Sequence, residues 1–157
     1  DSDALTEADL EAALYGARIL AYAQGFRILR AADAEFKWGL DYARIAEIWR
    51  AGCIIRSSLL DDIASAFRGD LPRGKLILSK DIADLVGPTI PALRRVVAYG
   101  VLSGYPVPAF ASALSWYDET RQARGTADLI QGMRDYFGRH SFERIDQDGS
   151  FHGPWAD

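Results

Sequence analysis

The sequence predicts an all-α protein, a multi-helix bundle followed by an extended C-terminal tail. Three observations support this class: an early stretch of about two dozen residues has no strong helix breaker, apolar residues then recur at helical spacing, and no segment alternates as a half-buried strand would. With 157 residues, of which 49% are hydrophobic, the chain can bury one core. We therefore predict a single helical domain over residues 1–157, with a helical core at 6–137 and a tail at 138–157.

The first helix begins at Thr6, a favoured N-cap residue, and Asp9 places an acid in its first turn. We predict that it continues to Ala32 or Lys37. Apolar side chains on two of its faces indicate packing between neighbouring elements. These faces carry Leu10, Leu14, Ala17, Ala21 and Ile28, and Tyr15, Ile19, Tyr22, Phe26 and Leu29.

Gly39 is predicted to break this helix, and Asp41 can cap a second helix that ends before Ala51 and Gly52. A third helix is predicted at 53–67, because apolar residues recur there at helical spacing. These residues are Ile55, Leu59 and Ile63.

The rest of the core is predicted from turn residues and prolines. Residues 69–72 form a loop, and a short helix covers part of 76–86. Pro91 suits the first position of a helix that ends near Gly104. Residues 105–108 are extended, since each proline there disfavours a helical residue before it. The last two predicted helices are 109–124 and, after Thr126 as a cap, 126–137.

The tail at 138–157 mixes charges and glycines with large apolar residues whose spacing fits neither a helix nor a strand. A solvated tail rarely contains so many large apolar side chains. We therefore expect it to pack onto another surface, and a second subunit is one candidate. The large apolar residues are Phe142, Ile145, Phe151 and Trp155.

Composition limits the possible partners and setting. A net charge of −4 and an isoelectric point near 5.2 argue against general binding to nucleic acid or anionic membranes, which needs clustered positive charge. No apolar run reaches the length of a membrane span. One cysteine, Cys53, and two histidines cannot form an internal disulfide or an ordinary structural zinc site, so we expect a reducing, cytoplasmic setting. The abrupt beginning just before a helix is compatible with a piece of a longer protein.

No recognisable motif predicts a catalytic residue, a cofactor site or a metal site within this chain. A glycine-rich dinucleotide fingerprint, a phosphate-binding P-loop and zinc spacings are all missing from the sequence. The adjacent carboxylates at 61–62 and 118–119 diverge by about 100° around a helix, so they are interpreted as solvated faces. Cys53 is interpreted as a buried structural thiol.

Arg134 and His140 are the candidate binding residues. Arg134 is predicted in the last turn of its helix, Gly138 to end that helix in a left-handed conformation, and His140 to lie in the loop beyond. A guanidinium and an imidazole together suit a phosphoryl group. The alternative is that Arg134 favours the helix end and pairs with Asp128 or Asp135, while His140 is a surface residue. Spacing alone favours this alternative.

Four segments occur in the order AYAQGFRILRAA (21–32), IWRAGCIIRSSLL (48–60), GYPVPAFASALSWYD (104–118) and DLIQGMRDYFGRHSFE (128–143). Together they resemble the C-terminal helical domain of decarboxylating 6-phosphogluconate dehydrogenase. The resemblance implies an enzyme of the pentose phosphate pathway that oxidises 6-phosphogluconate with NADP, or with NAD in some members, and releases carbon dioxide to give ribulose 5-phosphate. It implies no metal.

The resemblance also implies roles for particular residues. The helical domain would form a homodimer, the tail would enter the other subunit, and Arg134 and His140 would bind the substrate phosphate in that subunit's active site. The family's N-terminal Rossmann domain and its catalytic lysine, asparagine and glutamate have no counterpart here, so this chain alone is predicted to be inactive. The segment at 119–127 also departs from the family pattern. The alternative is a catalytically silent dimerisation or interaction module derived from the family.

Overall fold

The computed structural model describes residues 4–51 and 53–155. It confirms the all-α class: this part of the chain contains three short 3-10 helices and seven α-helices, with no strand. The 3-10 helices are Pro72–Gly74, Leu76–Leu78 and Gly87–Thr89. The α-helices are α1 (Glu7–Phe36), α2 (Tyr42–Arg50), α3 (Leu59–Arg68), α4 (Lys80–Val86), α5 (Ile90–Leu102), α6 (Pro108–Arg121) and α7 (Ala127–Gly138).

The chain divides into two compact units, one ending at Tyr117 and one beginning at Asp118. The helix α7 thus belongs to the same unit as the segment that follows it. The description of 1–157 as one helical domain with a tail from 138 stays a prediction. No described helix combines the length and the hydrophobicity that crossing a membrane would require.

Thr6 is the N-cap of α1, as predicted, and the structure shows that it forms a reciprocal cap with Asp9. The Thr6 hydroxyl accepts a hydrogen bond from the Asp9 N–H at 3.1 Å, and the Asp9 carboxylate accepts the Thr6 N–H at 3.1 Å. Arg95 of α5 also donates to Asp9. The bonds from Arg95 and then from Thr6 hold the pKa of Asp9 at about 2. One charged residue therefore both begins α1 and joins it to α5.

The predicted break after α1 and the cap of α2 are confirmed. Lys37 adopts a left-handed conformation and donates its N–H to the Asp33 carbonyl at 2.8 Å. Gly39 has φ of 70°, and its N–H reaches the Asp33 carboxylate at 2.7 Å. Asp41 caps α2 by accepting the N–H three residues further along at 2.9 Å. The turn therefore uses Gly39 where a left-handed residue is required.

The core of the first unit lies where α1 packs on α5 and α2 packs on α3. The Phe26 ring lies 5.3 Å from the Trp49 ring and 4.8 Å from the Phe67 ring, between centroids. Burial of each large apolar side chain contributes roughly 1.5–3 kcal/mol. The fully buried ones are Ile19, Leu20, Phe26, Leu59, Leu60, Ile63, Ile82 and Leu93.

Only one of the two apolar faces predicted for α1 is packed as expected. Ile19 and Phe26 are buried, whereas Leu10, Leu14 and Ile28 are about half exposed or more. These three side chains are only partly covered within the described part of the chain. Packing of this second face against a neighbour therefore stays a prediction.

The third helix begins later than predicted, at Leu59 instead of Cys53. Residues 53–58 form turns, and the Tyr22 hydroxyl donates to the Ile55 carbonyl at 2.6 Å. That carbonyl is thus held by another element instead of by a helical turn. Ile54 is fully exposed, and the Cys53 thiol is half-buried, not buried as expected.

The later helices agree with the prediction to within a few residues. Pro91 is the second residue of α5, residues 105–107 are not helical, and Pro108 is the first residue of α6. The helix α6 ends at Arg121, three residues before the predicted end. The short helix predicted within 76–86 is α4 together with the 3-10 turn before it.

Two glycines of α1 offer a matched test of packing. A Cβ at Gly16 would lie 2.1 Å from Thr89 Oγ1, which is buried and donates to the Val86 carbonyl, whereas a Cβ at Gly25 would meet nothing within 4 Å. Gly16→Ala is therefore expected to lower the free energy of unfolding by roughly 1–3 kcal/mol. Gly25→Ala should raise it by about 0.5–1 kcal/mol. Chemical denaturation measures both, and a Gly16→Ala protein as stable as Gly25→Ala would contradict this packing.

Candidate functional site

Arg134 is exposed on α7. It was predicted to lie in the last turn of this helix, and the structure places it one residue before that turn. Its Nη1 lies 3.3 Å from Gln131 Oε1. The two carboxylates considered as its partners are engaged elsewhere: Asp128 pairs with Arg124, and Asp135 lies against His152. Within the described residues Arg134 therefore has no carboxylate partner, and its guanidinium can donate to an anion.

His140 follows the end of α7, but the predicted role of Gly138 needs correction. Gly138 is the last helical residue, and Arg139 is the left-handed one, with φ of 49°. Ser141, at φ of 62°, is left-handed too. His140 is therefore flanked by two non-glycine residues that are both left-handed. Non-glycine residues adopt this conformation only where their surroundings hold it.

The space that a side chain at Gly138 would fill is occupied by the imidazole of His140. A Cβ at Gly138 would lie 2.7 Å from His140 Nε2 and 2.8 Å from its Cδ2. Real Cβ atoms do not come so close to another side chain. A residue other than glycine at 138 would thus displace the ring.

Asp135 organises the segment around His140. Its side chain is fully buried. Oδ1 accepts the Ser141 N–H at 2.8 Å and lies 2.6 Å from His152 Nδ1. Oδ2 accepts the Gly153 N–H at 2.8 Å and the Trp155 Nε1–H at 2.6 Å. Burial raises the pKa of Asp135, but these hydrogen bonds outweigh burial and hold the pKa well below its usual range.

The tail folds back onto α7 of its own chain through these contacts. The backbones of Phe142 and Phe151 exchange two hydrogen bonds of 2.9 Å in an isolated antiparallel bridge. The Trp155 ring meets the Tyr136 ring edge-on, with centroids 5.7 Å apart. Among the described residues from 118 to 155, Asp135 alone is buried. The expected packing of the tail is thus found within the unit, and its packing on a second subunit stays a prediction.

Sequence reasoning missed Asp135 as an organising residue, although a signal was present. An acid in the last turn of a helix lies at the negative end of the helix dipole, which disfavours it unless donors compensate. No basic residue occurs in the last turn of α7. The segment FHGPW at 151–155 supplies the donors, but only folding shows that they reach the carboxylate.

The second unit contains a groove of about 760 Å³ that includes neither Arg134 nor His140. Arg124 and Arg144 line it together with their carboxylate partners, Asp128 and Asp146. The charges of these pairs balance and Glu143 adds a negative charge, so the groove does not favour an anion. A shallower concavity of about 430 Å³ in the first unit is lined by Arg50, Arg56, Ser57, Ser58 and Asp61.

Five apolar side chains of α7 are exposed, some before and some after Arg134 in the sequence. We call these five side chains the α7 apolar face. Exposed apolar patches of this kind mark interaction sites. The α7 apolar face consists of Leu129, Ile130, Met133, Tyr136 and Phe137.

Comparison with known proteins gives consistent matches. The family model for the 6-phosphogluconate dehydrogenase C-terminal domain matches residues 1–155. Decarboxylating 6-phosphogluconate dehydrogenase from Shigella flexneri is 47% identical over 94% of this chain and 32% of its own length. The NADP(+)-dependent decarboxylating enzyme from Bacillus subtilis (strain 168) is 44% identical over 91% of this chain and 30% of its own length.

A solved structure shows the same fold. Plasmodium falciparum 6-phosphogluconate dehydrogenase, described in its apo form and in complexes with NADP+ and with 6-phosphogluconate, matches with a TM-score of 0.87 and 36% identity. The match covers 95% of this chain and 32% of that one. This chain thus spans about a third of the length of the relatives it matches.

Acid is expected to release the tail from α7. Because the pKa of folded Asp135 lies well below the ordinary carboxyl value of about 4, its stabilising contribution is fully present above about pH 4 and is lost as the pH falls toward the folded pKa. The indole N–H resonance of Trp155 should lose its hydrogen-bonded chemical shift over that range. Asp146→Asn should keep this response, and Asp135→Asn should lack the bonded shift even at neutral pH. An Asp135→Asn protein that keeps the wild-type Trp155 shift at neutral pH would contradict the assignment.

Proposed function

Because this chain belongs to the 6-phosphogluconate dehydrogenase family, whose C-terminal domain it matches, we propose that it is the substrate-binding and dimerisation portion of such an enzyme. The complete enzyme oxidatively decarboxylates 6-phosphogluconate to ribulose 5-phosphate with NADP, in the cytoplasm. The names of the bacterial relatives and of the Plasmodium falciparum structure support this substrate and this cofactor. The observation that carries the proposal is the position of Arg134 and His140 on either side of a buried carboxylate that holds their segment.

NADP would be bound by the rest of the enzyme. A dinucleotide site of the Rossmann type needs a strand followed by a glycine-rich turn and a helix. The described residues form no strand and do not fit this cofactor. We therefore assign no cofactor contact and no catalytic residue to this chain, and we expect the chain alone to be inactive.

Arg134 and His140 are proposed to bind the phosphate of 6-phosphogluconate. Arg134 is exposed and has no carboxylate partner among the described residues, so an incoming phosphate would not have to displace one. The planar guanidinium can donate two parallel hydrogen bonds to phosphate oxygens. The imidazole of His140, set against Gly138, adds another donor a short distance along the chain. The net charge of −4 does not exclude this binding, because a guanidinium donates to phosphate oxygens at short range.

We propose that this phosphate belongs to a substrate in the active site of the partner subunit of a homodimer. The α7 apolar face is exposed alongside Arg134, and dimerisation would bury it. Burial of such a face favours association, because it removes apolar surface from water. Tail and helix would then enter the partner as one piece, since Asp135 joins them.

Replacing Arg134 by alanine in the complete enzyme tests the proposal. Loss of a charged hydrogen bond to phosphate should lower kcat/KM for 6-phosphogluconate by roughly ten- to a hundredfold, mainly through KM. The measurement is 6-phosphogluconate-dependent reduction of NADP and of NAD. Arg144→Ala, which removes an arginine paired with Asp146, serves as the control and should change kcat/KM by less than about threefold.

The outcomes separate the alternatives. An active wild type that is indifferent to Arg134→Ala would remove Arg134 from the substrate site. A wild type that dimerises in sedimentation but does not reduce either nucleotide would favour the catalytically silent module.

Gly138→Ala tests the position of His140 without removing a charge. The added methyl group must displace the imidazole, so KM for 6-phosphogluconate should rise several-fold while KM for NADP stays unchanged. Gly132→Ala is the matched control on the same helix, because a Cβ there meets nothing within 4 Å. Equal kinetic effects of the two substitutions would refute the role of this close approach.

A further inference from the structure

We propose that Asp135 is a positioning residue of the phosphate site, which sets the place of His140 relative to Arg134 without touching the substrate. The inference rests on the proposed function and deepens it. Asp135 follows Arg134 directly in sequence, yet neighbours on a helix diverge by about 100°, so Arg134 is exposed while Asp135 is fully buried. Arg134 can therefore contact the ligand, while the side chain of Asp135 contacts the loop that carries His140.

The loop carrying His140 is held on both sides by this one residue. The Asp135 carbonyl accepts the Arg139 N–H at 2.8 Å, and the Asp135 carboxylate accepts the Ser141 N–H at 2.8 Å. Arg139 and Ser141 are the two left-handed residues that flank His140. Such conformations persist only where bonds around them compensate their cost. The two bonds fix the backbone on either side of the imidazole.

Three residues of the tail also contact the Asp135 carboxylate and shield it from water. Gly153 and Trp155 donate to Oδ2, and His152 lies against Oδ1, so residues 17 to 20 positions downstream cover the carboxylate. A buried carboxylate requires such donors, because an uncompensated charge away from water is costly. An asparagine at this position would direct its NH2 group at N–H donors. The arrangement therefore depends on the charge and on both oxygens.

A catalytic role for Asp135 conflicts with its position. The carboxylate is fully buried beneath the tail, and all of its described contacts are with protein donors. A negative charge that reached a phosphate dianion would repel it. The favourable effect of Asp135 on phosphate binding must therefore act through the residues that it holds.

The kinetic experiment compares Asp135→Asn with Asp146→Asn in the complete enzyme. The first substitution should raise KM for 6-phosphogluconate roughly tenfold, the effect of losing about one charge-assisted hydrogen bond, and leave KM for NADP within twofold. The second removes an exposed carboxylate of the same unit, paired with Arg144, and should leave both constants within twofold.

A double-mutant cycle distinguishes positioning from general loosening of the tail. If Asp135 acts through His140, adding Asp135→Asn to His140→Ala should raise KM by less than twofold further. Equal tenfold effects in both backgrounds would overturn the proposal. Trp155→Phe removes one donor and keeps the carboxylate, so it serves if Asp135→Asn does not fold. On its own, Trp155→Phe should raise KM for 6-phosphogluconate about threefold. Added to His140→Ala, it should raise KM by less than that.

Hydrogen exchange of the same variants gives a readout that does not need activity. The Ser141 amide should exchange slowly in the wild type and at least tenfold faster in Asp135→Asn, whereas His140→Ala should leave it slow. An unchanged Ser141 amide in Asp135→Asn, or an active variant with wild-type KM, would overturn the positioning role alone. An inactive wild type would overturn the proposed function, and with it the substrate role given to Asp135.

Discussion

A single buried carboxylate holds the C-terminal unit together. Asp135 accepts hydrogen bonds from the backbone of Ser141 and Gly153 and from the indole of Trp155, and His152 lies against it. Because it alone is buried among the described residues from 118 to 155, no hydrophobic core competes with it. The path of the tail over α7 depends on this one charge being satisfied, and the proposed placing of His140 rests on the same bonds.

The two units are stabilised by different physics. In the first unit, aliphatic and aromatic side chains such as Phe26 are removed from water, and each contributes roughly 1.5–3 kcal/mol. In the second unit, directional hydrogen bonds define the geometry, and the large apolar side chains are exposed or half-buried. Hydrogen bonds of this kind hold the polar groups of the second unit at defined positions. The apolar side chains left exposed are available to a partner, which is the role proposed for the α7 apolar face.

Local rules were sufficient where a residue acts on its own neighbours in sequence. The cap formed by Thr6 and Asp9, the break at Gly39 and the cap at Asp41 were predicted, because each satisfies backbone groups within a few residues. The start of α3 was predicted six residues too early. There, the hydroxyl of Tyr22, from more than thirty residues away in sequence, binds the carbonyl of Ile55.

By itself, the sequence determined the all-α class, the approximate helix boundaries, the family and the two residues proposed to bind phosphate, since these depend on periodicity, capping and motif. Only the tertiary structure decided what holds those residues in place. It showed that Arg139 adopts the left-handed conformation expected of Gly138, and that Asp135 is closed in by donors at 141 and 152–155. The physical reason is that a buried charge is satisfied by groups close in space, whose separation along the chain gives no local signal.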